Sequence, residues 1–313
     1  MTAVPDALVV EAVAGPVLVQ DDGRPGWAHL GVPRSGAADT ASAGLARRLV
    51  GAPDGSALLE VVLGGLTGRL ESPRGRWIAV TGAPAPLRVE GRAAPHATAV
   101  WCPAGARVSL GVPATGLRSY LALGHGLAVS PGLGSGLGAV LGSASTDTMS
   151  GLGPAPVRPG DQLPLAAGQG SPAPAAGLLP LGHDWPVPSV RRGSLRLHPG
   201  PRSSWARGAS GEDALGALTA GVWEVGAASD RVGVRLHGAD GAVLVPTGTQ
   251  ELPSEGVVLG AVQVPPSGQP VVFLADHPTT GGYPVVAVVD PADLPALAQA
   301  RPGERVTFTR APR

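Results

Sequence analysis

The chain contains no lysine and no asparagine, and all 23 of its basic residues are arginine. Without lysine it has no Schiff-base nucleophile, no Walker A phosphate clamp and no side chain to which biotin is covalently attached. Its single cysteine, Cys102, excludes an internal disulfide framework and a multi-cysteine metal site, and reads as a buried apolar filler. Long hydrophobic runs are also missing, and Met1 to Val10 lacks the basic region and apolar core of a signal peptide, so the cytoplasm is the expected location. No block of basic residues occurs, and 23 acidic residues balance the arginines, so neither nucleic acid nor a membrane surface is an expected partner. Histidines at 29, 96, 125, 183, 198, 237 and 277 show no HExxH or HxH spacing, and no metal site is expected.

What the chain has in abundance is glycine and proline, 48 and 34 of its 313 residues. Both break helices, which argues against a helical bundle, while a hydrophobic content of 43% in compact runs argues against disorder. A mainly β protein with a few short helices follows. The length predicts two domains, an N-terminal half over 1–165 and a C-terminal half over 194–313, joined by a Pro/Gly/Ala-rich linker over 166–193. Strand signals fall at Ala7–Val13, Val17–Gln20, Leu58–Leu63, Trp77–Thr81, Thr98–Cys102, Arg107–Gly111 and Ser119–Leu123. They resume at Ser194–His198, Trp223–Val225, Gly233–Leu236, Val257–Val264, Val271–Ala275, Val285–Val289 and Arg305–Phe308. Three helices have start and stop signals: Asp39 to Leu49, Glu212 or Asp213 to Ala220, and one opened by Asp290-Pro291 and closed by Pro302-Gly303. A weak internal repeat pairs Arg158-Pro159-Gly160-Asp161 with Arg301-Pro302-Gly303-Glu304, each a turn leading into a strand.

Four sets of polar residues stand out. Ala275-Asp276-His277-Pro278-Thr279-Thr280-Gly281-Gly282-Tyr283-Pro284 follows a buried-strand signal, and its threonines and glycines suit either an anion or carbonyl cradle or a turn satisfied by its own backbone. Gln20-Asp21-Asp22-Gly23-Arg24 and Arg34-Ser35-Gly36 carry guanidinium forks and carboxylates. Arg24 reads as a ligand contact or as a salt bridge to Asp21 or Asp22, and Asp39 as a helix cap. Ser229-Asp230-Arg231-Val232-Gly233 is a turn in which Arg231 pairs with Asp230 on the simplest account. Glu60 interrupts the run Leu58–Leu63, and alternation sets it on the face opposite Leu59 and Val61, predicting an exposed carboxylate. The GxGxxG-like Gly134–Gly138 lacks the helix and acidic residue of a dinucleotide site.

Taken together, these stretches resemble the biotin-dependent carboxyltransferase family of the KipA, PxpC (the C component of 5-oxoprolinase) and allophanate hydrolase subunit 2 type. The resemblance rests on Gln20-Asp21 with Gly23-Arg24-Pro25-Gly26, Ser35-Gly36-Ala37, Leu59-Glu60, Gly142-Ser143 with Ser145-Thr146-Asp147, Ser229-Asp230-Arg231, Ser254-Glu255-Gly256, Gln263-Val264-Pro265-Pro266 and Thr279-Thr280-Gly281-Gly282-Tyr283-Pro284. Ala38, Ala144 and His277-Pro278 stand where the pattern has methionine, arginine and Arg-Gln.

The resemblance implies two cyclophilin-like β-barrel halves in a hetero-oligomer with a KipI/PxpB-type subunit and, for an oxoprolinase, a LamB/YcsF (PxpA)-type subunit. The complex would use ATP with Mg2+ to hydrolyse a lactam, 5-oxo-L-proline, to L-glutamate. On that reading Asp21 or Asp276 is the acid/base candidate, with His277 beside them. Thr280 joins Thr279, Gly281 and Gly282 in orienting the carbonyl, and Gln20, Arg24, Ser35, Arg231 and Tyr283 bind substrate. The alternatives are carboxyl transfer from carboxybiotin on a separate carrier, in urea or allophanate metabolism, and a KipA-like regulatory protein that binds a partner.

Overall fold

Short strands punctuated by glycine turns run through residues 6–131, 137–168, 194–247 and 252–312, which the computed structural model describes. Residues 169–193 of the expected linker, with His183, and Gly134–Gly136 of the glycine-rich run lie outside these described residues. Internal contacts divide the chain into two units: Met1–Arg24, Asp39–Asp147 and Gly151–Ser189 form the first, and Pro25–Ala38, Thr148–Ser150 and Val190–Arg313 the second. Two short stretches from the N-terminal half therefore group with the C-terminal half.

The first unit contains β1 (Ala7–Val13), β2 (Val17–Gln20), β3 (Leu58–Val62), β4 (Leu66–Glu71), β5 (Arg76–Gly82), β6 (Leu87–Val89) and β7 (Arg92–Ala94). It continues with β8 (Val100–Cys102), β9 (Arg107–Leu110), β10 (Arg118–Leu123), β11 (Val129–Pro131), β12 (Leu137–Ala139) and β13 (Gln162–Pro164). A six-stranded sheet, β13-β1-β4-β9-β6-β7, and a five-stranded sheet, β2-β3-β10-β5-β8, share one apolar core. Leu8, Val10, Leu66, Leu70 and Val108 of the former pack there with Val19, Leu59, Val61, Val80 and Leu121 of the latter. Helix α1 (Thr40–Leu49) covers the other face of the five-stranded sheet at β5 and β10. Asp39 caps it as expected, accepting from Ser42 N at 2.9 Å and from Ser42 Oγ at 2.7 Å.

That cover overturns the expectation for Glu60. Strand alternation does set it opposite Leu59 and Val61, but both faces of β3 are covered and Glu60 is 0% exposed. In register across the sheet, Leu18, Glu60, Tyr120 and Thr81 form one row, and Thr81 Oγ1 donates to the Ser42 carbonyl of α1.

The second unit contains β14 (Leu195–Pro199), β15 (Ala206–Arg207), α2 (Ala214–Ala220), β16 (Val222–Val225), β17 (Gly233–Ala239), β18 (Val245–Pro246) and β19 (Glu255–Gly256). After these come β20 (Ala261–Gln263), β21 (Val271–Phe273), β22 (Thr280–Gly281), β23 (Val285–Val289), α3 (Leu294–Gln299) and β24 (Arg305–Arg310). Seven of these strands close into a barrel in the order β14-β23-β20-β21-β17-β16-β24, shut by the parallel pairing of β24 with β14. Leu197, Trp223, Val225, Leu236, Val262, Val272 and Val289 fill its core. The chain is thus mainly β with three short α-helices among the described residues, and no helix of those residues is long and apolar enough to cross a membrane.

Two local expectations change. The run Val257–Val264 is not one strand, because Gly260, at φ +82, closes a turn in which Ala261 N donates to the Val258 carbonyl, and only Ala261–Gln263 joins the barrel. The helix opened by Asp290-Pro291 begins as a 3-10 turn, Pro291–Asp293, before becoming α-helical at Leu294.

The two Arg-Pro-Gly-acid turns have the same local chemistry. In each the acidic residue's backbone N–H returns to the arginine carbonyl (Asp161 to Arg158, 3.1 Å; Glu304 to Arg301, 3.0 Å), and its carboxylate accepts from the arginine N–H. Gly160 and Gly303 both take the left-handed conformation, at φ +94 and +84, that makes glycine necessary there.

Candidate functional site

In the second unit β21 leads into Leu274-Ala275-Asp276, and Asp276 ends wholly buried. Five donors converge on its carboxylate. Arg231 supplies Nε at 2.8 Å and Nη2 at 3.0 Å, Ser35 Oγ donates at 2.8 Å, and Thr148 donates both its N–H (2.9 Å) and its hydroxyl (2.7 Å). Arg231 Nη2 also donates to the Gly36 carbonyl at 2.6 Å. Arg231 therefore pairs with Asp276, 45 positions away, and not with Asp230. The Asp230 carboxylate instead holds the turn, accepting from Val232 N and Gly233 N. Burial pushes the Asp276 carboxyl up, but the Arg231 charge and the hydrogen bonds of Arg231 and Thr148 outweigh it and hold the group below the usual carboxylate range. A carboxylate so saturated is an anchor for the segments around it, which weakens its candidacy as the acid/base. Ser35, at φ +54, is fixed by the same knot in a conformation uncommon for a residue with a side chain.

The adjoining loop is built differently. Strand β22 pairs with β19 in a two-residue ribbon, Glu255 opposite Gly281 and Gly256 opposite Thr280, and Val257 N donates to the Thr279 carbonyl. Glu255 is in turn ion-paired with Arg202, whose guanidinium lies over the Trp205 ring. Thr280, Gly282 and Tyr283 are exposed, Tyr283 by 51%, and neither threonine hydroxyl nor the Tyr283 phenol bonds another described residue. His277 is buried against Phe273. Its Nδ1 lies 2.7 Å from the Pro278 carbonyl, which fixes the Nδ1–H tautomer. The turn satisfied only by its own backbone is thus not what forms: Asp276 reaches across the chain, and the threonines keep their hydroxyls available.

In the first unit Asp21 is also surrounded by donors: Gly23 N at 2.7 Å, Ser143 Oγ at 2.6 Å, Ser145 Oγ at 2.5 Å and Ala144 N at 2.6 Å. Gln20 Nε2 donates to the Thr146 carbonyl at 2.8 Å. Arg24, 1% exposed, turns its guanidinium onto the carbonyls of Ser145 and Val140. The salt bridge considered for Arg24 instead joins Asp22 to Arg47 at 2.6 Å. Glu60 accepts from the Tyr120 hydroxyl at 3.0 Å and lies 3.4 Å from Arg118 Nε, and Asp39 N donates to the same hydroxyl at 2.8 Å. Burial, then the Glu60 and Asp39 charges, push the Tyr120 phenol well above its ordinary value.

The candidates thus fall into two sets, Gln20, Asp21 and Arg24 in the first unit and Ser35, Arg231, Asp276, His277 and Thr279–Tyr283 in the second. Residues to which the sequence assigned no role complete both: Ser143 and Ser145 around Asp21, Thr148 on Asp276, and Gln263, whose Nε2 donates to the Tyr283 carbonyl at 3.0 Å. Their only signal was membership in the family-like stretches, or, for Thr148, adjacency to one. Cys102 is buried as expected, and burial, aided by Glu90, pushes its thiol up to about 12. Folded protein at pH 8 is accordingly expected to resist a maleimide that labels it fully in urea, and equal labelling rates in both conditions would contradict this.

A family model described as carboxyltransferase domain, subdomain A and B, matches residues 30–310. This chain belongs to that carboxyltransferase-domain family. The match takes in Ser35, Arg231, Asp276, His277 and the Thr279–Tyr283 loop, while Gln20, Asp21 and Arg24 precede it. Among members of the family, the C component of 5-oxoprolinase from Escherichia coli (strain K12) is 34% identical over 295 residues, 93% of this chain and 87% of that protein. The crystal structure of TTHA0988 is similar with a TM-score of 0.79 at 37% identity, over 99% of this chain and 57% of that one. Kluyveromyces lactis urea carboxylase is similar with a TM-score of 0.80 at 25% identity, over 99% of this chain and 28% of that one. The carboxyltransferase domain described here therefore spans little more than half of one solved relative and under a third of the other.

Proposed function

We propose that the chain is a subunit of an ATP-dependent 5-oxoprolinase that hydrolyses 5-oxo-L-proline to L-glutamate together with KipI/PxpB-type and LamB/YcsF (PxpA)-type partners. The observation that carries this reading is the 34% identity, over 93% of the chain, to the C component of a 5-oxoprolinase. Amide resonance makes a lactam carbonyl a poor electrophile, which accounts for coupling its hydrolysis to a nucleotide. The described residues offer no assembled Mg2+-nucleotide site. The chain has no lysine, and among the described residues no three His, Cys, Asp or Glu side chains gather as a cation site. The nucleotide belongs, on this reading, to a partner subunit.

The part of this chain is to bind and orient. The hydroxyls of Thr279 and Thr280 and the backbone of Gly281-Gly282 face the lactam oxygen or its activated form. The buried Arg231–Asp276 pair holds Ser35 and Gly36 in place, and His277 is the remaining candidate for proton transfer. Preorganised donors of this kind act where charge develops and need no rearrangement during reaction.

The test is glutamate release from 5-oxoproline and ATP with the purified partners. Thr280→Ala is expected to lower turnover by about 10²-fold, and to leave the unfolding midpoint unchanged because the side chain is exposed and bonds no other described residue. Absence of glutamate release from the complete wild-type mixture would rule out the oxoprolinase reading. The likeness to urea carboxylase favours a second reading, carboxyl transfer from carboxybiotin on a separate carrier, which predicts decarboxylation of added carboxybiotin by the same preparation.

A further inference from the structure

The Thr279–Tyr283 loop is held from the outside by the β19/β22 ribbon and from the barrel side by one side chain. Gln263 lies on β20, is 4% exposed, and its Nε2 donates to the Tyr283 carbonyl at 3.0 Å. The same amide occupies the space beside Gly281, where a Cβ would stand 2.7 Å from Nε2. Real Cβ atoms essentially never approach so closely, so Gly281 and Gln263 are fitted to each other. One step further along, Val264 N donates to the Pro284 carbonyl at 3.2 Å, so β20 grips the exit of the loop as well. Thr280 and Tyr283 are exposed with unengaged hydroxyls, and nothing they do themselves fixes their direction.

We infer that Gln263 is a positioning residue: it sets the Thr279–Tyr283 loop through the Tyr283 carbonyl and the Gly281 gap, so that the Thr280 hydroxyl and the Gly281-Gly282 backbone meet the ligand already ordered. It touches no ligand itself. The assignment of that ligand as a lactam rests on the proposed function, but the positioning role does not.

Two variants of the full chain test it by hydrogen exchange, with the amides of residues 285–289 in β23 as the internal control. In Gln263→Leu the exchange of residues 279–283 is expected to rise about fivefold or more, the equivalent of one net hydrogen bond, while β23 stays protected. Gln263→Glu separates a hydrogen-bond role from packing. Its carboxylate has no proton to donate at pH 8, so the loop loosens. Below about pH 5 the protonated acid regains a donor, and protection, corrected for intrinsic exchange rates, returns toward wild type. If β23 loosens too, the variant has lost its fold, and the question passes to Gly281→Ala. That substitution pushes the Gln263 amide off the Tyr283 carbonyl and is expected to loosen the same loop while β23 stays protected.

Wild-type exchange in Gln263→Leu or in Gly281→Ala, or no acid recovery in Gln263→Glu, would each overturn the inference. In the reconstituted oxoprolinase the same Gln263→Leu change should raise KM for the lactam more than it lowers kcat. A wild-type complex that turns over no lactam would count against the proposed function and leave the exchange result standing.

Discussion

Asp276→Asn is expected to lower the unfolding free energy by about 3–5 kcal/mol at pH 7, measured by guanidinium denaturation with tryptophan fluorescence. The change is nearly isosteric, so the loss comes from charge and donor geometry. Arg231 keeps its charge in a buried site without the carboxylate that balances it, and one of the two acceptor oxygens becomes an NH2 that faces obligate N–H donors, Arg231 Nη2 in one amide orientation or Arg231 Nε and Thr148 N in the other. The pH dependence has a definite sign. The folded-state carboxyl lies below its unfolded value of about 3.9, so its stabilisation is complete above that value and is lost as pH falls through the lower, folded-state value. Wild type should therefore lose stability on the acid side of pH 4 more steeply than Asp276→Asn. A variant within 1 kcal/mol of wild type at pH 7, or one with the same acid limb, would show that the knot carries little of the stability.

Glu60→Ala is expected to cost a similar amount, about 3–5 kcal/mol, because it removes the acidic partner of Arg118 and the acceptor of the Tyr120 hydroxyl inside a covered sheet face. The informative comparison is the double variant Glu60→Leu with Arg118→Leu. Replacing both members of a buried ion pair by apolar groups is often neutral, so the double variant should recover most of the loss seen in either single one. Additive losses in the two singles and the double would mean that each residue acts alone. Neither Glu60 nor Arg118 belongs to the loop proposed to meet substrate, so a reconstituted complex should keep its turnover per folded molecule.

These two sites also show where reading the sequence stops. Local signals were sound: Asp39 caps α1, Val285–Val289 is a strand with the expected ends, and both Arg-Pro-Gly-acid turns close as their residues require. Alternation assigned Glu60 to the correct face but carries no information on what lies over that face, and there Tyr120 and Arg118 enclose the carboxylate, with the α1 cap residue Asp39 on the same hydroxyl. Strand β4 carries no strand signal of its own because Thr67-Gly68-Arg69 breaks the apolar pattern, although Gly68 is needed there: a Cβ would stand 2.8 Å from the Val9 carbonyl of the neighbouring strand. In the candidate site, the loop Thr279–Tyr283 was legible as a cluster of special residues. The partners of Asp21 and Asp276 were not, since Ser143 lies 122 positions from Asp21 and Ser35 lies 241 from Asp276. Composition cannot rank such pairings, because any of the chain's serines and arginines would serve equally well until the topology selects one.

The Asp276 knot has a consequence for biosynthesis. A ribosome adds about 5–20 residues per second, so the stretch carrying Ser35 and Gly36 leaves the exit tunnel roughly ten to fifty seconds before the aspartate it must bind. Throughout that interval Pro25–Ala38 lacks the partner that later holds it, whereas the surrounding strands of the first unit can already pair. Nascent chains stalled before residue 276 should accordingly be cut by protease within 25–38 while β1–β10 resist, and release of the completed chain should abolish that cleavage.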